Sequence, residues 1–250
     1  LRDIEIINAE LILADHASLT KRRVSREKKS RGNDKEAKRE LEGIDKILPH
    51  LDEGKPAITA DINDDDYEIM KEFFLLTSKR TIFACNVSED DLAETINSPS
   101  ENSMVARVQQ YAEETHGAEV IIISARIEEE LIDISPEEAK EFLADMGVAD
   151  SGFSTMIRSV YKLLGLSTYL TTGEKETRAW TIRTGAKAPE AAGVIHTDFE
   201  RGFIAAEVLH YDDYVEFESK SAARDAGKLR IEGKEYEVKD GDVIEFRFNV

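Results

Sequence analysis

The chain has 250 residues, enough for two domains at about 150 residues each. Its 41% apolar and 34% charged residues fit a globular fold, with no secretory leader and no apolar run near the ~18 residues of a membrane span. A net charge of −19 excludes a surface that grips nucleic acid all round, and the single cysteine, Cys85, excludes a disulfide framework and points to a reducing cytoplasm.

Leu1 rather than Met opens the chain, and Ile4, Ile7, Leu11 and Ala14 already run at helical spacing, so the sequence reads as a piece of a longer protein. Residues 3–28 and 33–53 are predicted helices. The second carries Ala37, Leu41, Ile44, Leu48 and Leu51, a narrow seam of the kind that packs in coiled coils. Gly32-Asn33 breaks the pattern, with Asn33 or Asp34 as helix cap, and so short a link makes the pair antiparallel. Residues 21–39, at the far end of this hairpin, hold ten basic and three acidic side chains, a local charge of +7 against −26 elsewhere. A basic tip on an acidic body suits a phosphate-rich partner, and equally describes the solvated end of a hairpin. Gly54-Lys55-Pro56 ends the element.

Residues 64–76 read as a short helix, and residues 101–116 as one closed by Gly117. The runs Thr81-Ile82-Phe83-Ala84-Cys85 and Val120-Ile121-Ile122-Ile123 read as strands buried on both faces of a parallel sheet, with Cys85 as a small buried hydrophobe. Ser135-Pro136-Glu137-Glu138 starts a helix that buries Ala139, Phe142, Leu143 and Met146 and stops at Gly147. Phe153, Met156, Ile157, Val160, Leu163 and Leu164 form the stripe of the next helix, which ends at Gly165. From about Leu166 the pattern changes to short alternating runs. Strands over 179–183, 203–208 and 243–248 and a helix over 188–193 give a separate α+β domain of about 85 residues, a mixed sheet of four or five strands wrapped on one helix.

Ligands of open parallel sheets sit at the carboxyl ends of the strands. There the two runs end in Asn86-Val87-Ser88-Glu89 and Ser124-Ala125-Arg126. In P-loop nucleotide switches the corresponding positions hold the base, as Asn-Lys-x-Asp and Ser-Ala-Lys. An Asn amide offers a donor and an acceptor to one edge of a purine. The Asp of the guanine readers accepts two N–H bonds that adenine does not have, and Glu89 would set its acceptor one methylene further out. Val87 replaces the Lys whose stem lies on the base. Ser88 also makes a good cap for a helix at Asp90-Asp91-Leu92, so the first cluster alone is a weak signal, and its pairing with Ser124-Ala125 strengthens it.

The phosphate side is missing from the sequence. Each Gly-Lys, at Gly54, Gly227 and Gly233, is followed by Pro, Leu or Glu, so no Gly-x-x-x-x-Gly-Lys-Ser/Thr is present, nor an Asp-x-x-Gly between the hairpin and the base loops. Asp61-Ile62-Asn63-Asp64-Asp65-Asp66 with Glu72 has calcium-loop spacing, but Asp66 stands where the loop needs Gly, so an acidic helix start is preferred and no metal site is expected. His16, His50, His116, His196 and His210 show no metal-ligand spacing, and His196 is expected to bond Asp198 or backbone.

The segments Ala188-Pro189-Glu190-Ala191-Ala192-Gly193-Val194-Ile195-His196-Thr197-Asp198-Phe199-Glu200-Arg201-Gly202-Phe203-Ile204 and Asp240-Gly241-Asp242-Val243-Ile244-Glu245-Phe246-Arg247-Phe248-Asn249-Val250 closely resemble the TGS domain of the YchF family, within the Obg-related P-loop nucleotidases. Asp3-Ile4-Glu5-Ile6-Ile7-Asn8 and Lys46-Ile47-Leu48-Pro49-His50-Leu51 match the same family in order, so the resemblance spans the chain.

This resemblance implies an α/β plus α+β fold in three segments. Residues 1–58 would be an antiparallel coiled-coil hairpin, 59–165 the C-terminal half of a parallel-sheet P-loop nucleotide-binding domain, and 166–250 a β-grasp TGS domain. It implies a cytoplasmic, ribosome-associated switch that binds and slowly hydrolyses ATP in preference to GTP, with Mg²⁺ when intact. The base would be read by Asn86, Val87, Glu89, Ser124, Ala125 and Arg126. Arg22, Arg23, Lys28, Lys29 and Arg31 would dock on ribosomal RNA or protein. The protein would be a monomer without membrane contact. The family's P-loop, magnesium and switch residues have no counterpart here, so the chain alone is expected to be inactive, with no catalytic residue of its own. The alternative is a non-enzymatic docking module with a vestigial nucleotide pocket.

Overall fold

The computed structural model describes residues 1–32, 34–173 and 176–249; Asn33, one of the two candidate caps, lies outside them, as does the terminal Val250. The chain forms two compact units, Leu1–Ser159 and Val160–Val250.

The first unit opens with α1 (Arg2–Ser30) and α2 (Lys35–Asp52). Asp34 caps α2, its carboxylate accepting from the Glu36 and Ala37 amides at 3.0 and 3.2 Å. A contact from His16 to Asp52 (2.9 Å) and ion pairs from Arg23 to Asp45 (2.6 Å) and Arg26 to Glu40 (2.8 Å) show that the helices run antiparallel. The seam differs from the one expected. Ala37, Glu40, Ile44, Ile47 and Leu51 are the buried positions of α2 outside Gly43, and Ile12, Asp15 and Leu19 those of α1, while Leu41 and Leu48 lie at the margin and Ile7 and Ala14 are exposed. Two carboxylates take part because each is fully partnered, the condition under which a charge tolerates burial. Glu40 accepts from Arg22 and Arg26, both at 2.8 Å. Asp15 accepts from the Leu76 amide, the Thr77 amide and the Thr77 hydroxyl at 2.8, 2.7 and 2.6 Å.

Ile69, Met70, Phe73 and Leu75 complete the core under the hairpin. Gly43 allows the close approach, since a Cβ there would stand 3.0 Å from Ile69 Cγ2. The helix expected over 64–76 is shorter, α3 (Asp64–Lys71). The chain leaves it through Phe74, which is left-handed (φ 54°), into a 3₁₀ turn at Leu76–Ser78 whose amides meet Asp15. The acidic first turn of α3 is capped by Asn63, and Asp66 pairs with Lys46.

Next come β1 (Ile82–Asn86), α4 (Glu89–Asn97), α5 (Ser103–His116), β2 (Glu119–Ile123), α6 (Ala125–Leu131), α7 (Pro136–Asp145) and α8 (Gly152–Leu164). The strands pair in parallel with Asn86 opposite Ile123. Burial on both faces is not realised. Within β2 only Ile121 is buried, β1 has no fully buried residue, and Cys85 is half-buried, which still pushes its thiol pKa up. Among the described residues this sheet has two strands, so each strand keeps an open edge and the helices screen only part of its surface. Leu92, Ile127, Leu143 and Val148 form the core beside it. The capping box of α7 is present as expected, with Ser135 and Glu138 reciprocally bonded. Part of the α8 stripe is open: Phe153, Ile157, Val160 and Leu164 are exposed, while Met156 and Leu163 are partly buried.

The second unit contains β3 (Leu166–Thr172), β4 (Thr177–Arg183), α9 (Ala188–Ile195), α10 (Thr197–Arg201), β5 (Phe203–His210), α11 (Tyr211–Phe217), α12 (Lys220–Asp225), β6 (Arg230–Glu232) and β7 (Asp242–Phe248). The sheet order is β4-β3-β7-β5-β6, with β3 and β7 parallel and the other pairs antiparallel. Helix α9 packs Ala188, Ala191 and Ala192 against Tyr169, Ile182, Phe203, Ala206, Val208 and Ile244. The Tyr169 hydroxyl donates to the Ala191 carbonyl at 2.9 Å, and burial raises its pKa.

Candidate functional site

The parallel register brings the two polar clusters side by side at one end of the β1–β2 pair. Pairing continues past the strands through the Val87 N–H, which donates to the Ile123 carbonyl at 2.9 Å. Asn86 is exposed, and its Oδ1 accepts from the Ala125 N–H at 2.9 Å. This bond fixes the amide plane and leaves Nδ2, a donor, on its other side. Glu89 and Arg126 face one another, Oε1 to Nε 3.4 Å, and Arg126 also meets Glu130 at 3.2 Å and Glu129 at 3.6 Å.

The other members of the clusters take different places. Ser88 caps α4 and donates to Asp91 at 2.6 Å, so the capping reading of this residue holds alongside the juxtaposition of Asn86 and Glu89. Val87 packs its side chain against the core of Leu92, Ile127, Leu143 and Val148, leaving its backbone as the part nearest the cluster. Ser124 is buried beneath the strand end, and its hydroxyl has no hydrogen-bond partner among the described residues.

Sequence reading missed Glu128. Its two oxygens accept from the Gly152 and Phe153 amides at 2.7 and 3.2 Å, so α6, which begins at the Ala125 loop, caps the start of α8. Gly152 is required there, because a Cβ would come within 2.7 Å of Ile123 Cγ2. The Ser124-Ala125-Arg126 segment is thus braced, through α6, against the start of α8. The run of three glutamates was the only sequence signal.

A separate cavity of about 330 Å³ lies in the same unit, lined in part by Asn8, Asp52, Tyr111, Thr115 and His116. Asn8 Nδ2 donates to the Tyr111 hydroxyl at 2.8 Å and meets His116 Nε2 at 3.1 Å, and burial lowers the pKa of His116. Neither strand-end cluster lines it.

The basic hairpin end divides into two groups. Arg22 holds Glu40, donates to the Glu72 carbonyl at 3.1 Å and lies 4.9 Å above the Phe73 ring, while Arg23 pairs with Asp45. Lys28, Lys29 and Arg31 are exposed, Arg31 within 3.9 Å of Glu27. Among the described residues no group of three His, Cys, Asp or Glu is placed to hold a metal ion.

A family model, YchF-GTPase_C, described as a protein of unknown function (DUF933), matches residues 166–249. The "Ribosome-binding ATPase YchF" of Bacillus subtilis (strain 168) is 46% identical over 99% of this chain and 66% of its own length. The protein of the same name from Haemophilus influenzae is 44% identical over 100% of this chain and 67% of its own length. "Obg-like ATPase 1" of Oryza sativa subsp. japonica is 39% identical over 100% of this chain and 62% of its own. The chain therefore spans about two thirds of the curated relatives it matches. A solved structure, titled "Structure of the Schizosaccharomyces pombe YchF GTPase", superposes with a TM-score of 0.79 at 34% identity, covering 98% of this chain and 65% of that one. With the strand-end clusters in place and relatives matching from end to end, the chain belongs to the YchF family of Obg-related P-loop ATPases and GTPases.

Proposed function

We propose that this chain is the base-reading, hairpin and TGS portion of a cytoplasmic, monomeric, ribosome-associated nucleotide switch. The intact protein binds ATP with Mg²⁺ and hydrolyses it slowly, in preference to GTP. Residues 1–58 are its coiled coil, 59–165 the C-terminal half of its nucleotide-binding domain, and 166–250 its β-grasp TGS domain. Asn86, Val87, Glu89, Ser124, Ala125 and Arg126 surround the base, Val87 through its backbone and Ser124 from beneath the strand end. Hydrolysis of this kind consists of positioning and charge stabilisation around the γ-phosphate. This chain carries no group for that task and is inactive alone.

The observation that supports the reading is the 2.9 Å bond from the Ala125 N–H to Asn86 Oδ1, which ties the two clusters into one surface and turns a donor outward for a purine N7. The names of the relatives, ribosome-binding ATPase and GTPase, agree with it. In the full-length protein, Glu89→Asp is expected to move preference toward GTP, measured as the ratio of ATP to GTP affinities. An unchanged ratio contradicts the role given to Glu89.

The second reading, a docking module with a vestigial pocket, is favoured by the exposure of Lys28, Lys29 and Arg31 at the hairpin end. Their joint replacement by Gln is expected to weaken ribosome binding and flatten its salt dependence by about one log–log unit per lost phosphate contact. Arg22 is unsuited to that test because it holds the buried Glu40 together with Arg26, and Arg23 is already paired with Asp45.

A further inference from the structure

Arg126 sits among three carboxylates, Glu89, Glu129 and Glu130, at 3.4, 3.6 and 3.2 Å. It follows Ala125, whose N–H is already taken by Asn86. Glu129 and Glu130 lie on the same helix as Arg126, one turn further on, where pairing is expected from spacing alone. Glu89 does not. It stands at the start of α4, 37 positions earlier in the chain, and meets Arg126 only because β1 and β2 end together.

We propose that Arg126 is a positioning residue that sets base preference by occupying Glu89. This deepens the base-site reading and rests on it. Guanine presents N1–H and N2–H₂ on its Watson–Crick edge and needs an acceptor opposite them, whereas adenine presents an acceptor, N1, and has no such need. A guanidinium beside Oε1 competes with guanine for that acceptor and draws the carboxylate toward α6. Guanine then leaves N–H groups unmatched, and a site that leaves polar groups unpaired discriminates against the ligand. The one-methylene extension of Glu over Asp accordingly does more than misplace the acceptor: it carries the carboxylate to a cation. Because Arg126 and Glu89 are both solvent-exposed, their pairing is weak, and the effect on preference is about two- to fivefold.

The test is an NMR titration of the ¹⁵N-labelled chain with adenosine and with guanosine, which reads millimolar affinities and needs no phosphate site. It compares the chain with its Arg126→Gln, Arg126→Lys, Glu89→Gln and Asn86→Ala variants. Arg126→Gln is expected to lower the ratio of adenosine to guanosine affinity about two- to fivefold. Arg126→Lys, which keeps the charge, should preserve most of the ratio, and in a Glu89→Gln background Arg126→Gln should add nothing. An unchanged ratio in Arg126→Gln, with adenosine still weakened by Asn86→Ala, overturns the role of Arg126 and leaves the base site standing. If neither nucleoside shifts the amides of residues 86–89 and 124–126, or if Asn86→Ala changes nothing, the base site falls as well.

Discussion

The two sheets are built on opposite terms. In the second unit five strands lie across one helix, and Tyr169, Ala191, Ala206 and Val208 are wholly enclosed. In the first, a parallel pair of strands holds one fully buried residue, Ile121, and Phe153 and Ile157 of α8 are exposed. A strand is enclosed only when neighbours occupy both its edges and layers cover both its faces. The second unit supplies these for its middle strands, and the described residues of the first do not. Candidate chemistry collects at the less enclosed sheet, where strand ends remain open to a ligand, while the closed sheet ties Tyr169 and Glu207 into internal contacts.

The comparison is broken most sharply by Tyr169→Ala. It removes an enclosed ring and its bond to Ala191, and should cost the second unit about 3–5 kcal/mol. Trp180, the chain's single tryptophan, lies on β4 and reports that unit in urea unfolding followed by fluorescence. A loss under about 1 kcal/mol would mean that this core is looser than described.

Next in size is Asp15→Ala in the first unit. It leaves two amides and a hydroxyl at the 76–78 turn without their acceptor, a cost of about 2–4 kcal/mol. The loss should appear in helix melting followed by circular dichroism, with the Trp180 signal unmoved. A shift of both signals together would show that the units do not unfold independently.

The smallest effect is one of pH. Glu207, buried on β5, is held down to about 2 by Lys220 first and Arg247 next. A depressed carboxylate contributes stability that is complete above its unfolded value, near 4.5, and is lost as pH falls toward 2. With its cationic partners open to solvent, the contribution is on the order of 1–3 kcal/mol. Glu207→Gln should therefore flatten the decline in second-unit stability between pH 4.5 and 2, read from Trp180, and an unchanged decline would count against the assignment.

Much of the fold is legible in local pattern. An apolar run marks β5, alternation marks β7, the Ser135 capping box marks α7, and the hairpin follows from two helical runs and a short break. The hairpin seam was misread at Glu40 and Asp15, because apolar spacing cannot register a carboxylate whose partners lie elsewhere: Arg22 and Arg26 for one, Thr77 for the other. The end of α3 at Lys71 was missed for a related reason, since the amides of Leu76 and Thr77 are drawn to Asp15. Strand burial was overread, as Ile122 and Ala84 show, because enclosure depends on neighbouring strands that a local run does not reveal. At the site, Asn86 and Ala125 could be paired from the rule that ligands gather at strand ends. Glu128 reaching Gly152 and Arg126 reaching Glu89 needed the tertiary register.

The most direct test of the central claim is a crystal structure of the chain soaked with adenosine. The account predicts the purine at the ends of β1 and β2, with N7 about 3 Å from Asn86 Nδ2. Adenosine bound elsewhere, for instance in the cavity beside Asn8 and His116, with the Asn86 amide facing solvent alone, would contradict it.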